Sequence, residues 1–167
     1  MEFRQASERD VPQIMDIIKQ AQRYFKEQGI DQWQGDYPNE ETIQKDIAHQ
    51  HGYVLVKDNH LVATVAVSFD GEKNYETICN GTWMSDQPYA VIHRLAIDND
   101  MKGKGLSSVI LVHIVEMCRQ KGINSIKVDT HEENASMQKL LEKNQFHYCG
   151  IIHVSDGSER VAFEKLI

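Results

Sequence analysis

Apolar positions recur along this chain with two different periods, and the switches between them divide it into elements. Glu2 to Ala6 alternates polar and apolar residues, the period of a half-exposed strand. From Val11 the spacing changes, and Val11, Ile14, Ile18, Ala21 and Phe25 fall on one face of a helix. Ser7, with Asp10 three residues on, gives that helix a capping start. Pro12 is tolerated in its first turn and Gly29 marks its end. Gly29 to Asn39 has no period and reads as an ordered loop carrying Trp33, Tyr37 and Pro38. Asn39 then caps a short helix running to about His49, with Ile43 and Ile47 inward.

From Gly52 the period becomes two. Tyr53 to Lys57 and Leu61 to Phe69 read as strands joined by Asp58-Asn59, a hairpin turn signal. Gly71 to Ser85 is irregular, with Thr77-Ile78-Cys79 open as a short strand and Gly81 as a break. Tyr89 to Ile97 and Asn124 to Thr130 are strands. The helix between them, Leu106 to Lys121, is apolar on most of its circumference and is expected to be buried. Asn134 to Asn144 is a last helix, followed by strands Phe146 to Val154 and Arg160 to Leu166 around Ser155-Asp156-Gly157-Ser158. Strand-helix-strand units favour parallel neighbours and hairpins impose antiparallel ones, so the fold class is mixed α/β.

Composition narrows this picture. At 167 residues, with 41% hydrophobic and 26% charged, the chain suits one core, and 1–167 reads as a single domain. A net charge of -7 argues against a nucleic-acid partner. No apolar run reaches the ~18 to 20 residues that span a bilayer, and the first residues have no leader-like pattern, so neither a membrane partner nor a location outside the cytoplasm is expected. Cys79, Cys118 and Cys149 are widely spaced and read as reduced thiols. His49-x-His51 has no second ligand pair, and no metal is expected.

The candidate chemistry sits at Lys102-Gly103-Lys104-Gly105-Leu106-Ser107, a junction between a strand and a helix. Glycines let the backbone turn and approach a ligand, and the helix start offers N–H groups and positive dipole to a phosphate. A tight strand-to-helix turn is the simpler reading of the same glycines. The P-loop spacing is absent. The dinucleotide fingerprint finds Gly103, Gly105 and, farther on, Asp129, but meets Ser108 where its third glycine belongs, and such a unit normally opens its domain.

A third pattern, [R/Q]-x-x-G-x-[G/A], is met with Lys102 at its first position and Ser107 at its last. Here the chain resembles the Gcn5-related N-acetyltransferase (GNAT) family, and the resemblance extends over essentially its whole length. His93-Arg94-Leu95-Ala96-Ile97 is similar to that family's fourth strand. Asn134-x-x-Met137-x-x-Leu140-Leu141-x-Lys143-x-x-Phe146 is similar to its N-x-x-A-x-x-L-Y-x-K-x-G-F segment. The resemblance implies a central mixed, mostly antiparallel sheet of six to seven strands flanked by about four helices. It also implies acetyl-coenzyme A as donor, coenzyme A as product, and a primary amine as acceptor, on a small molecule or a peptide.

By the same resemblance, the backbone of Leu95, Ala96 and Ile97 pairs with the pantetheine amides. Amides of Gly103, Gly105, Leu106 and Ser107 hold the pyrophosphate with Lys102 and Lys104 nearby, and Asn134 meets the pantetheine arm or serves only as a helix cap. His93 is the candidate proton acceptor, or else a packed strand histidine. Strand alternation sends His93 and Arg94 to opposite faces unless the strand bulges, which makes Arg94 structural. The family's tyrosine acid is absent, because Leu141 stands there and Gln145 replaces the following glycine. Tyr148 is the candidate substitute, with Cys149 or water as rivals. Trp33 and Tyr37 suit a lid over the acceptor or an anchor for their loop. A monomer or a homodimer is expected.

Overall fold

The computed structural model describes all residues, 1–167. In chain order it contains β1 (Glu2–Gln5), α1 (Val11–Glu27), α2 (Glu40–Ala48), β2 (Gly52–Lys57), β3 (His60–Ser68), β4 (Ala90–Ile97), α3 (Leu106–Gln120), β5 (Ser125–Thr130), α4 (Ala135–Lys143), β6 (His147–His153) and β7 (Glu159–Leu166). The seven strands run β1-β2-β3-β4-β5-β7-β6 in one sheet. Its β4–β5 rungs are parallel, whereas β1–β2, β2–β3, β5–β7 and β6–β7 are antiparallel. The expected mixed, mostly antiparallel sheet with four helices is therefore the observed one. The chain divides into two compact units, residues 1–67 with 93–110 and residues 68–92 with 111–167.

In the first unit, α1 begins after a 3-10 turn, Glu8–Asp10, rather than directly at Ser7. The Asp10 carboxylate accepts from the Ser7 N–H at 2.8 Å and from its hydroxyl at 3.2 Å, and pairs with Arg4 at 2.8 and 2.9 Å. Val11, Ile14, Ile17 and Ile18 then pack with Ile43, Val54, Leu61 and Ala96. Burying side chains of this size contributes ~1.5–3 kcal/mol each, so the stripe fixes α1 on the strands. Asn39 caps α2 as expected, with its Oδ1 accepting from Thr42 N–H at 3.0 Å and Thr42 Oγ1 accepting in return at 3.2 Å. Asp58 and Asn59 both have positive φ, 50° and 66°, the conformation a two-residue hairpin demands.

In the second unit, β5 and β6 flank β7, and Tyr75, Val91, Ile152 and Ala162 form a core cluster. The segment 77–79 is not a strand of its own. Cys79 makes one antiparallel bridge to Ile151, with both N–H to O bonds at 2.8 Å. That close approach needs glycine, since a Cβ on Gly81 would fall 1.9 Å from the Cys149 carbonyl oxygen. The long helix α3 is less buried than its composition suggests. Ile110, Ile114 and Cys118 are fully buried while Val112 is 67% exposed, so one face of α3 meets solvent.

Candidate functional site

The glycine junction is built by the strand and helix it joins. After β4, Asp98 donates its N–H to the Val62 carbonyl oxygen at 2.9 Å, and its side chain accepts from Asp100 N–H at 3.0 Å. A 3-10 turn, Asn99–Met101, follows. Gln20 of α1 holds it by accepting from Asn99 N–H at 2.7 Å. Gly103 and Gly105 then take φ of 77° and 76°, the left-handed region that L side chains disfavour. No atom lies within 4 Å of where a Cβ on either would sit, so conformation rather than crowding calls for glycine.

Val109 N–H bonds to the Gly105 carbonyl at 3.2 Å, the first hydrogen bond of α3. That bond makes Gly105 the cap, and the N–H groups of Leu106 and Ser107 lie in the first turn, where a helix supplies no acceptor. Lys102, Gly103, Lys104 and Gly105 are exposed, Leu106 is buried as the anchor, and Ser107 is half-buried. Lys102 Nζ rests 4.6 Å from the centre of the Tyr24 ring. The junction is thus exposed, with two lysines beside the first-turn N–H groups of α3.

On β4, the regular alternation breaks at Arg94, whose φ is +54°. His93, Arg94 and Leu95 are consecutively half-buried, Ala96 is buried and Ile97 half-buried. His93 is pushed down from 6.5 to about 4, first by burial and then by the charges of Arg94 and His51. The imidazole is therefore neutral at pH 7. Arg94 forms a fork on Asp46, with Nε at 2.7 Å and Nη2 at 2.6 Å, and its Nη1 donates to the Tyr37 hydroxyl at 3.0 Å.

The loop between α1 and α2 is ordered by several anchors. Trp33 meets Phe25 edge-on at 5.6 Å and packs on the core of the first unit. Gln34 Nε2 donates to Gln22 O at 3.0 Å, and Gln22 Nε2 to Pro38 O at 2.9 Å. Tyr37 stays 45% exposed. The first unit thus brings together Tyr37, Asp46 and Arg94. Asp46 escaped sequence reading because it lies 48 residues from its partner and has no motif around it.

An open cleft of about 480 Å³ lies between α1, the β2–β3 turn and residues 98–101. Asp16, Asp58, Asp98 and Asp100 line it together with Lys57 and His60, so carboxylates outnumber cations there.

The remaining candidates belong to the second unit. Asn134 is buried, and its Oδ1 accepts from Met137 N–H at 3.1 Å, so it caps α4. Leu141 is fully buried in apolar packing. Gln145 has φ of 63°, so the chain leaves α4 through a left-handed residue, a conformation that glycine adopts without strain. Tyr148 is 54% exposed, with its ring edge-on to Phe163 at 5.9 Å. Cys149 is buried, and burial raises its pKa, so it is a thiol.

Asp129, the acid of the rejected dinucleotide reading, accepts a 2.6 Å hydrogen bond from the buried Tyr75 hydroxyl. Burial raises the pKa of both groups. The contact holds the 69–89 segment on β5. Lys127 Nζ, donating to Ser85 O at 3.2 Å, holds it there too, and Met84 N–H, donating to the buried Glu164 at 2.7 Å, ties it to β7.

A strand broken by one left-handed residue thus leads through two left-handed glycines into a helix start. The model of the acetyltransferase (GNAT) family matches residues 14–146, and the chain belongs to that family. A GNAT-family acetyltransferase from Streptococcus agalactiae is 34% identical over 99% of this chain and 95% of its own, with a TM-score of 0.90. PaiA N-acetyltransferase from Thermoplasma acidophilum, solved in complex with coenzyme A, is 18% identical over 99% and 98% of the two chains, with a TM-score of 0.73. The ribosomal-protein-S18-alanine N-acetyltransferase from Escherichia coli is 16% identical over 99% and 93%, with a TM-score of 0.68. The latter two share the fold. No curated protein matches the chain. No helix is long and apolar enough to cross a membrane.

Proposed function

We propose that this chain is an N-acetyltransferase that moves the acetyl group of acetyl-coenzyme A directly to a primary amine, on a small molecule or a peptide, and releases coenzyme A. The carrying observation is the cradle at Lys102–Ser107 in a chain of this family. Its two left-handed glycines open the backbone, and the first-turn N–H groups of Leu106 and Ser107 and two lysines offer charge to a diphosphate. The coenzyme A held by one fold relative supports the donor, and the alanine amine named for another supports an amine acceptor.

In this reading the Leu95–Ile97 backbone pairs with the pantetheine amides as an added strand would, and Asn134 meets the pantetheine arm. A carbon–nitrogen bond forms, the carbon–sulfur bond breaks, and one proton must leave the nitrogen. His93 is assigned the proton. With a pKa of about 4 it relays a proton toward water rather than storing it. Tyr148, whose ring is exposed, is assigned the return of a proton to the thiolate, and the buried Cys149 thiol is not. Trp33 and Tyr37 form the acceptor-side wall. We place the enzyme in the cytoplasm as a monomer or homodimer of one domain.

A second reading, a coenzyme A-binding module without turnover, is favoured by one observation: Leu141 is a packed core residue where the family pattern has a tyrosine. Calorimetric titration with acetyl-coenzyme A, followed by thiol release over a panel of amines, decides between them. Transfer predicts binding and release with at least one amine. Binding without release above background hydrolysis leaves the module, and no binding at millimolar donor removes both.

A further inference from the structure

Arg94 holds a backbone conformation that a non-glycine residue adopts at a cost of about 1 kcal/mol, in the strand that carries His93 and Leu95–Ile97. Such strain persists only where the surroundings over-determine it. Here the guanidinium uses its whole fork, with two bonds to Asp46 at 2.6 and 2.7 Å and one to the Tyr37 hydroxyl at 3.0 Å. The ion pair is nearly dry: the two side chains are 15% and 11% exposed. Beside them lies a cavity of about 10 Å³, lined by Ile14, Ile43 and Thr64 among others, room for about one water. A lysine ammonium is a point charge and cannot span both partners.

Asp46 belongs to α2, which the Asn39 cap and Ile43 fix on the core of the first unit. Tyr37 belongs to the loop before α2, and its ring is 45% exposed while its hydroxyl is tethered. A capped, core-packed helix thus holds the guanidinium, and the guanidinium holds both the left-handed break in β4 and the exposed tyrosine. We propose that Arg94 is a positioning residue that couples the donor strand to the acceptor-side loop, with Asp46 as its anchor and the Tyr37 hydroxyl as the contact that carries the effect. The inference rests on the acetyl-transfer reading, since it takes β4 as the strand that receives the pantetheine arm.

Hydrogen exchange read by mass spectrometry, with acetyl-coenzyme A as probe, tests the coupling without knowledge of the acceptor. In the wild-type protein, saturating acetyl-coenzyme A is expected to slow exchange in residues 33–38 severalfold. Arg94→Lys is expected to weaken donor binding about tenfold and to abolish that slowing even when donor is saturating. Tyr37→Phe, which removes one hydroxyl, should abolish the slowing while leaving donor affinity within twofold. A purely structural Arg94 would instead quicken exchange throughout the first unit and leave the donor-dependent slowing in place, and that result overturns the proposal. So does wild-type coupling in Tyr37→Phe. A wild-type protein that binds no acetyl-coenzyme A overturns the underlying reading, whereas one that binds it while Arg94→Lys behaves identically overturns the coupling alone.

Discussion

His93 shows how burial decides what a residue can do. Its pKa falls from 6.5 to about 4, so the folded state disfavours the imidazolium. The sign follows directly: unfolded chains bind more protons between those two values, and stability present above pH 6.5 is lost as pH falls toward 4. The full effect is about 3 kcal/mol. Asp10, lowered to about 2 by Arg4, acts in the next window and withdraws about 2 kcal/mol between pH 4 and 2. Urea midpoints measured from pH 7 down to 3 are expected to fall, and His93→Gln should flatten the decline between 6.5 and 4. An equally steep decline in His93→Gln would place the acid sensitivity elsewhere. Under the proposed relay role, His93→Gln is expected to lower turnover in an acetyl-transfer assay, and the same low pKa predicts an unmoved pH profile between 6 and 9. The identity and place of His93 were legible in the sequence. Its protonation was not, because that depends first on burial in the folded protein and then on the charges of Arg94 and the distant His51.

Among the elements, turns carried the clearest local signal. Asp58-Asn59, the cap at Asn39 and the glycines of the 103–105 turn could each be read from a few neighbouring residues, since φ preference and capping are local physics. The 69–89 segment could not, because it is ordered by Asp129, Lys127, Glu164 and Ile151 from far along the chain. The left-handed break at Arg94 was visible only as a condition, that His93 and Arg94 take opposite faces unless alternation fails. Nothing local announced Asp46. Two substitutions test a non-local contact and a local turn in the second unit. Gly81→Ala drives a Cβ into the Cys149 carbonyl, a backbone atom that cannot swing aside, and is expected to cost about 2 kcal/mol or more in denaturant unfolding. Gln145→Gly relieves a left-handed residue at the end of α4 and is expected to stabilise by about 0.5–1 kcal/mol, raising the melting temperature by a few degrees. A lowered melting temperature would show that the Gln145 side chain outweighs its backbone strain.

At the scale of the whole molecule, charge sets a conflict that the glycine junction resolves locally. The chain carries -7 overall, and the proposed donor is itself a polyanion. Long-range repulsion therefore opposes binding, while Lys102 and Lys104, both exposed, act within a few ångströms of the cradle. The two terms respond differently to salt. Screening lengths are about 10 Å at 0.1 M and about 3 Å at 1 M, so the diffuse repulsion is removed first and the close attraction persists longest. Lys102→Gln with Lys104→Gln removes the attraction and leaves the repulsion. Donor affinity of the double variant is expected to be about 5- to 20-fold weaker at low salt, and to strengthen as sodium chloride rises from about 0.02 to 0.3 M, as screening of a net repulsion requires. The wild-type protein should show a flat or falling affinity over the same range. A double variant whose acetyl-coenzyme A affinity falls in parallel with the wild type would mean that other cations hold the diphosphate, and the cradle would then owe its binding to backbone N–H groups alone.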